Sequence, residues 1–331
     1  MEKMNHWERI ETTLAGNPTD HAPVALWRHF PEEDQDPVIL AQRSIEWQNK
    51  WDWDLVKFMP SGTFGIEDWG AETAYLGRVN GARHCTRPVV NKVQDWRTLE
   101  MLDTKKGVYG QQNQALSLTA RELGGRVPIL QTVFSPLTTA RKMSGERLLA
   151  DMRCAPEAVE HALHIITEVT IRFCLEALDA GADGIFFATQ LATHRLVTTA
   201  EYEQFGRTYD LQVFNALKGK TRFNMLHVHG EDVMFDMMSQ YPVEMMNWHD
   251  RLTTPSLKDA LQRFRGMLVG GISEHGTLIN ASLADIEAEV RDGLSQTNAR
   301  RLMIGPGCVL PVHVSDERLQ TVVHAVRGPS R

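Results

Sequence analysis

The sequence predicts an α/β protein in which one domain, residues 1–331, forms a (β/α)8 barrel with extra helices between the second and third strands. Three observations predict this fold: eight short apolar runs, the helical patterns between most of them, and a length that suits a large barrel. Continuous apolar runs are typical of parallel strands buried on both faces. The runs occupy residues 23–28, 54–59, 127–134, 184–189, 223–228, 243–248, 267–272 and 301–306.

The helical patterns between the runs begin and end at recognisable residues. Residues 36–51 have apolar side chains at three- and four-residue spacing, as expected for a helix with one buried face. A second helix is predicted from Pro156 to Gly181, because proline suits a first turn and glycine suits a helix end. A third spans residues 198–219, and Ser282, with an acid three residues later, predicts a capping box at the start of a fourth.

The stretch from Pro60 to Arg126 is too long for one connection, so we expect extra helices over the barrel mouth. An open doubly wound sheet is the alternative fold. It would normally carry a glycine-rich phosphate-binding turn after an early strand. The first run is followed by RHFPEED, which contains no glycine, so the barrel is favoured.

Composition narrows the classes of function. The chain is 42% hydrophobic and 23% charged with a formal net charge of −7, so neither nucleic acid nor an anionic membrane is expected as a general partner. No segment has the roughly 18 consecutive apolar residues of a membrane span, and the polar N-terminus lacks the apolar block of a signal peptide. We therefore predict a cytoplasmic protein whose four scattered cysteines are reduced rather than paired in disulfides.

The ends of the last four runs carry the donors of a zinc site. His227 and His229 stand two apart, so an extended strand would point both to the same side. Cys308 follows the last run in the sequence GPGC, whose glycines would let the backbone turn the thiol inward. Zinc takes imidazole, thiolate and carboxylate ligands, so these three residues are candidate ligands, with Asp250 or Glu274 as a fourth ligand or a supporting partner.

Other polar residues at the strand ends are candidates for catalysis or substrate binding. Arg28 is a candidate clamp for an anionic substrate, since a guanidinium can hold a carboxylate with two hydrogen bonds, although a salt-bridged surface arginine is the ordinary alternative. His249 is a candidate base with Asp250 as its orienting acid. Neighbouring strand residues point to opposite faces, which favours Asp250 alone facing the cavity. The remaining candidates for substrate binding are Lys57, Thr132, Gln190 and Glu274.

The chain resembles the uroporphyrinogen decarboxylase superfamily over nearly its whole length. The segments that carry the resemblance are PVALWRHFPEED, DLVKFMP, TVFSPLTTARKMSG, EALDAGADGIFFATQ, LHVHG, NWHDR and GPGCVLP. The resemblance implies a (β/α)8 barrel with a deep cleft at its mouth. It also implies one of two chemistries: cofactor-free decarboxylation of uroporphyrinogen, or zinc-dependent methyl transfer between a corrinoid and a thiol.

The motifs favour the methyltransferase branch of that superfamily. The decarboxylases have an RQAGRY segment after the first strand, whereas RHFPEED keeps only Arg28, and most of their other porphyrinogen-handling residues are missing. The methylcobamide:coenzyme M methyltransferases have a zinc motif, HxCG, after the fifth strand and a PGC turn after the eighth. The corresponding places read His227-Val-His229-Gly and Pro-Gly-Cys308, so a histidine stands where the family has its first cysteine.

The sequence thus supports a zinc-dependent methyltransferase, and the resemblance implies that the corrinoid is carried by a separate protein. Two alternatives stay open: a metal-free decarboxylase or lyase acting on a tetrapyrrole or a small carboxylic acid, and a barrel that carries a tetrapyrrole or metal without turnover. Homodimers are common among such relatives, so a homodimer is a further option. The sequence names neither the substrate nor the methyl acceptor.

Overall fold

The structure, a computed structural model, describes residues 2–328. The described strands are β1 (Val56–Phe58), β2 (Glu72–Ala74), β3 (His84–Arg87), β4 (Ile129–Phe134), β5 (Gly184–Thr189), β6 (Met225–Val228), β7 (Met245–Trp248), β8 (Met267–Ile272) and β9 (Leu302–Pro306). Seven of them form one parallel sheet in the order β1-β4-β5-β6-β7-β8-β9. Each of these seven lies within one of the predicted apolar runs.

The first apolar run closes the ring between the two edges of this sheet. Val24 pairs in parallel with Ile304 of β9, and Ala25 N donates to Ile304 O at 3.0 Å. On its other side Val24 O accepts a hydrogen bond from Asp54 N, just before β1, at 3.0 Å. The predicted (β/α)8 fold class is therefore confirmed, with the first barrel segment held by a few bonds rather than by a full strand.

The helices are α1 (His6–Leu14), α2 (Pro37–Trp51), α3 (Phe64–Glu67), α4 (Gly107–Leu123), α5 (Pro136–Ser144), α6 (Arg147–Cys154), α7 (Pro156–Asp179), α8 (Thr199–Tyr202), α9 (Thr208–Leu217), α10 (Phe235–Met238), α11 (Leu257–Arg263), α12 (Thr277–Asn280), α13 (Leu283–Thr297) and α14 (Asp316–Arg327). Their ends follow local chemistry, because side-chain oxygens accept bonds from otherwise unpaired backbone donors. Asp36 caps α2, and Ser282 with Asp285 forms the predicted capping box of α13. The predicted 198–219 helix contains a π-helical turn, Glu203–Arg207, between α8 and α9. No helix within residues 2–328 has the length and apolar character needed to cross a membrane.

The long connection after β1 contains helices, as predicted, and also a β2–β3 hairpin that sequence reasoning missed. The loop of this hairpin, residues 75–83, packs on the segment that follows β9: Val312 N donates to Val79 O at 2.8 Å. A Cβ added to Gly81 would lie 2.8 Å from Val312 and 2.9 Å from His29, so the close approach depends on glycine. The hairpin thereby brings polar side chains to the barrel mouth.

Candidate metal centre and substrate cavity

Three histidines and one cysteine meet at the C-terminal ends of the strands, where barrel enzymes place their active sites. His227 lies within β6 and His229 directly after it, while His249 directly follows β7 and Cys308 comes two residues after β9. Each offers one potential ligand atom, and these four atoms all lie within 4.8 Å of one another. The structure thus brings together the three predicted ligand residues and adds His249.

A buried asparagine orients the imidazole of His227. Asn247 is fully buried, and its Nδ2 donates to Val269 O at 2.8 Å and to Pro306 O at 2.9 Å. Its Oδ1 must then face His227, whose Nδ1 lies 2.6 Å away. The Nδ1–H of His227 therefore donates to the carboxamide, which leaves the Nε2 lone pair for the cluster. Burial lowers the pKa of His227, which favours the same neutral form.

A buried carboxylate supports His249 in a similar way. Glu274 Oε1 lies 3.2 Å from His249 Nδ1, and Glu274 Oε2 accepts a bond from Gly307 N at 3.0 Å. A Cβ on Gly307 would lie 3.0 Å from that oxygen and 3.0 Å from His249 Cα, so this glycine is needed for close approach. Glu274 therefore directs the Nε2 of His249 into the cluster, as carboxylates do for metal-binding histidines.

His229 contributes its Nδ1 to the cluster, whereas His227 and His249 contribute their Nε2 atoms. Its Nδ1 lies 3.2 Å from His249 Nε2 and 3.7 Å from Cys308 Sγ. Burial by itself would raise the pKa of the Cys308 thiol, but hydrogen bonds from the three histidines outweigh it and hold that pKa well below its ordinary value. Burial also opposes a charge on His249, yet its bonds to Cys308 and Glu274 raise its pKa to about 10. The cluster without an ion therefore stabilises a thiolate.

These donors fit a zinc ion. Three imidazoles and one thiolate match the ligand types and the number that zinc prefers. Two of the imidazoles are held by an amide or carboxylate partner, which is the arrangement that fixes ring orientation around protein-bound metals. The thiolate is the form of cysteine that binds metals.

A cavity of about 270 Å³ reaches this cluster from inside the barrel. Its wall includes His227, His229 and Cys308, together with the aromatic rings of Trp27, Phe134 and Phe186. Four basic side chains also line it, namely Lys57, Lys142, Arg78 and Arg83, and no aspartate or glutamate does so among the described residues. Such a wall is suited to an anionic ligand.

Three of the predicted substrate-binding residues line this cavity, and a fourth contacts a histidine of the cluster instead. Lys57, Thr132 and Gln190 line the cavity, and Thr132 Oγ1 donates to Phe58 O at 2.6 Å. Glu274 instead supports His249, which agrees with the partner role considered for it and not with substrate contact.

Arg28 is placed away from the cavity wall. Its guanidinium carbon lies 5.6 Å from the centre of the Phe30 ring and 5.7 Å from that of Trp47. Its neighbour Trp27 takes the inward direction, because successive residues of an extended segment point to opposite sides. The predicted role of Arg28 as a substrate clamp therefore has no support from its position.

The expectation that Asp250 faces the cavity is wrong. Its carboxylate accepts from Gly271 N at 3.1 and 3.2 Å, and burial raises its pKa to about 7. A Cβ on Gly270 would lie only 2.4 Å from Asp250 Oδ1. The strand alternation was correct, but His249 takes the inward direction and Asp250 ties the end of β7 to β8.

Sequence reasoning missed five contributors to the site. Asn247 and the inward role of His249 fall into this group, and the signal for Asn247 was an amide inside an otherwise apolar run. Arg78 and Arg83 come from the unpredicted hairpin, and Lys142 comes from α5. No local pattern marks these three, because only folding brings them to the mouth.

Comparisons with known proteins agree with the fold. A family model described as Uroporphyrinogen decarboxylase (URO-D) matches residues 5–329. The chain belongs to the uroporphyrinogen decarboxylase family.

Two proteins with similar sequences are methyltransferases. The methylcobamide:CoM methyltransferase MtaA of Methanosarcina barkeri (strain Fusaro) is 25% identical over 332 residues, which cover 96% of each chain. The methylcobamide:CoM methyltransferase MtbA of Methanosarcina acetivorans is 19% identical over 241 residues, covering 72% of this chain and 70% of the relative. The predicted resemblance to the methyltransferase branch is thus confirmed, and the chain is an enzyme of this family.

A solved structure shows the same fold. A methyltransferase from Methanosarcina mazei superposes with a TM-score of 0.85 over 98% of both chains at 20% sequence identity.

Proposed function

We propose that this enzyme is a zinc-dependent methyltransferase, with the metal held by His227, His229, His249 and Cys308. The single observation that carries the proposal is the convergence of these four donor atoms within 4.8 Å. Because these four side chains fill the positions that zinc usually uses, a substrate heteroatom would bind as an additional ligand or in place of one of them. Bound zinc would then supply Lewis-acid chemistry, lowering the pKa of that heteroatom and making it a better nucleophile or leaving group. The methyl group moves between a corrinoid, or a methylated small molecule, and a thiol or other heteroatom.

The residues of the chain have distinct parts in this proposal. Asn247 and Glu274 hold two imidazoles in the orientation that the metal needs. Gln190 and Thr132 line the cavity beside the cluster, where they would contact the substrate. The basic wall would attract an anionic acceptor, and its aromatic rings would exclude water from the reacting atoms.

The histidine at position 229 changes the charge of the centre. A zinc ion with one thiolate ligand keeps a net positive charge, whereas a second thiolate would cancel it. We infer that the centre favours binding of an anionic heteroatom, such as a thiolate, and polarises it more strongly than a site with two cysteines.

The corrinoid would come from a separate protein. The chain contains no DxHxxG motif for corrinoid binding, and the relatives above are named for methylcobamide as substrate. A cytoplasmic location stays a prediction, as does a homodimer.

The test combines metal analysis with a transfer assay. Purified protein should contain about one zinc per chain, and X-ray absorption at the zinc edge should report a first shell with more nitrogen than sulfur. Methylcobalamin should lose its methyl group to coenzyme M or another thiol, followed by its visible spectrum. Metal-free protein of normal stability that decarboxylates a tetrapyrrole or small acid would overturn the proposal in favour of the lyase alternative.

A further inference from the structure

Lys57 is a buried amine that forms no salt bridge with an aspartate or glutamate among residues 2–328. It lies in β1 with 7% of its surface exposed, and the thioether sulfur of Met59 is its one hydrogen-bond partner among residues 2–328. The same nitrogen lies 4.2 Å from the centre of the Phe186 ring. Burial lowers its pKa to about 7, and the negative charge of the Cys308 thiolate opposes that shift. A thioether is a weak acceptor, so an anionic group supplied from outside the chain would stabilise the charged form of this buried amine.

Lys142 is a second cation of the same kind at a different place. It belongs to α5, and its Nζ lies 4.3 Å from the centre of the Phe134 ring. It too has no salt-bridge partner in the described part of the chain. Because the two ammonium groups lie over different rings and come from different elements, they form two separate points of positive charge on the cavity wall.

The two arginines of the hairpin loop add positive charge to the cavity wall, but each already has a hydrogen-bond partner within the described residues. Arg83 lies 3.4 Å from Glu32 and also donates to Thr73, while Arg78 Nε lies 2.6 Å from His84 Nε2. Lys57 and Lys142 are thus the basic side chains of the wall that have neither an oxygen nor a nitrogen acceptor among residues 2–328, whereas Arg78 has the ring nitrogen of His84 and Arg83 has oxygen acceptors.

We propose that the substrate of this cavity carries two acidic groups, such as two carboxylates, in addition to the heteroatom that reacts at the metal centre. Lys57 binds one acidic group deep in the barrel, and Lys142 binds the other closer to the mouth. A substrate with one acidic group would leave one ammonium without a partner. This inference rests on the proposed function only in placing the reacting heteroatom at the His/Cys cluster.

Calorimetric titration of the zinc-loaded enzyme with matched thiols tests the inference. Mercaptosuccinate carries two carboxylates, and 3-mercaptopropionate carries one but has the same reacting atom. We expect mercaptosuccinate to bind at least about tenfold more tightly, because each charge-assisted contact is worth that much or more. Equal affinity for the two thiols would overturn the proposal without any variant being made.

Variants assign the two groups to the two lysines. Lys57→Met and Lys142→Met should each reduce the preference for mercaptosuccinate by about tenfold and leave 3-mercaptopropionate less affected. Lys220→Met, which removes an exposed lysine remote from the cavity, should retain the full preference. A preference that survives in both cavity variants would overturn the assignment.

Probes without a thiol separate this inference from the proposed function. Succinate should compete with mercaptosuccinate more strongly than propionate does, whether or not the protein transfers methyl groups. If succinate binds through both lysines but no zinc or methyl transfer is found, the inference stands and the proposed function fails. If methyl transfer proceeds and singly charged acids bind as well as succinate, the inference fails and the proposed function stands.

Discussion

The two ends of the barrel use buried charge in opposite ways. At the N-terminal end, Arg9 donates to Asp20 at 2.8 Å and also to Asp54, and His6 lies between Asp52 and Asp54 at 3.0 and 2.9 Å. The buried charges of Arg9 and Asp54 are thus paired with opposite charges. At the C-terminal end, three imidazoles surround one thiol, and two lysines face a cavity without acids among the described residues.

This difference separates stability from function. A buried charge that is paired and hydrogen-bonded stabilises one arrangement of the chain. A buried donor without a partner has a cost in folding that is recovered only when a ligand arrives. In a barrel the N-terminal end serves stability and the C-terminal end serves chemistry, so changes at the two ends should affect different measurements.

The largest effect should follow Cys308→Ser. The change removes the only thiolate of the cluster, so we expect zinc content and methyl transfer to fall by more than about 100-fold, beyond the range seen for partners of ligands. The midpoint of unfolding of the metal-free protein should change little. Cys154→Ser is the matched control, because that thiol is exposed. Full zinc occupancy in the Cys308 variant would contradict the proposed role of Cys308 as a zinc ligand.

At the N-terminal end of the barrel, Arg9→Met should lower stability and leave zinc binding unchanged. Arg9 is 2% exposed, and its loss leaves the carboxylate of Asp20 and the buried carboxylate of Asp54 without one of their counter-charges. We expect the free energy of unfolding to fall by about 3–5 kcal/mol, measured by denaturant titration, while zinc per folded chain stays unchanged. A loss of zinc affinity with unchanged stability would contradict the proposed division between the two ends.

Asn247→Leu tests whether orientation of a ligand matters by itself. Leucine cannot accept the Nδ1–H of His227, so the ring loses the partner that aims its Nε2 at the cluster. We expect zinc affinity, measured by competition with a chelator, to fall by about 10- to 100-fold. Asn247→Asp is the matched control: like leucine it loses the bonds that Nδ2 donates to two backbone carbonyls, but it keeps an acceptor for His227, so it should lose less affinity than leucine. Equal affinity in the leucine variant would show that the ring needs no such partner.

The smallest effect is a pH dependence of stability at the N-terminal end. Burial opposes protonation of His6, but its bonds to Asp52 and Asp54 prevail and raise its pKa from 6.5 to about 9. Because the pKa of His6 is higher in the folded state, its protonation stabilises the folded protein. This stabilisation is complete at pH values below the unfolded-state pKa of 6.5 and is lost as the pH rises through about 9. His6→Gln should therefore cost about 2 kcal/mol at pH 6 and much less at pH 9.5. Urea titrations of both proteins at each pH measure this, and a pH-independent difference would exclude a charged His6.

Much of the fold was predictable because its signals are local. Parallel barrel strands are buried on both faces, so they appear as continuous apolar runs, and the predicted runs contain all seven strands of the described sheet and the bridged first segment. Helix starts such as Asp36 and Ser282 were predictable because capping depends on residues three or fewer positions apart. The hairpin over the mouth was missed, because its two strands are short and largely exposed and have no apolar run.

The site was predictable in its residue types and less so in their directions. His227, His229 and Cys308 stand at strand ends, and the order of strands in a barrel brings such ends together. The alternation of a strand says that His249 and Asp250 point to opposite sides, but it does not say which of them points inward. That choice depends on how β7 pairs with β6 and β8, which the spacing of residues does not contain.

By itself the sequence determined the barrel strands, the ends of several long helices and the chemical kinds of donor at the barrel mouth, because these depend on neighbours along the chain. The tertiary structure decided that His249 joins the cluster, that Asn247 and Glu274 orient its rings, and that Lys142 shares a cavity with Lys57. Those outcomes depend on contacts between residues distant in sequence, which exist only once the sheet has closed.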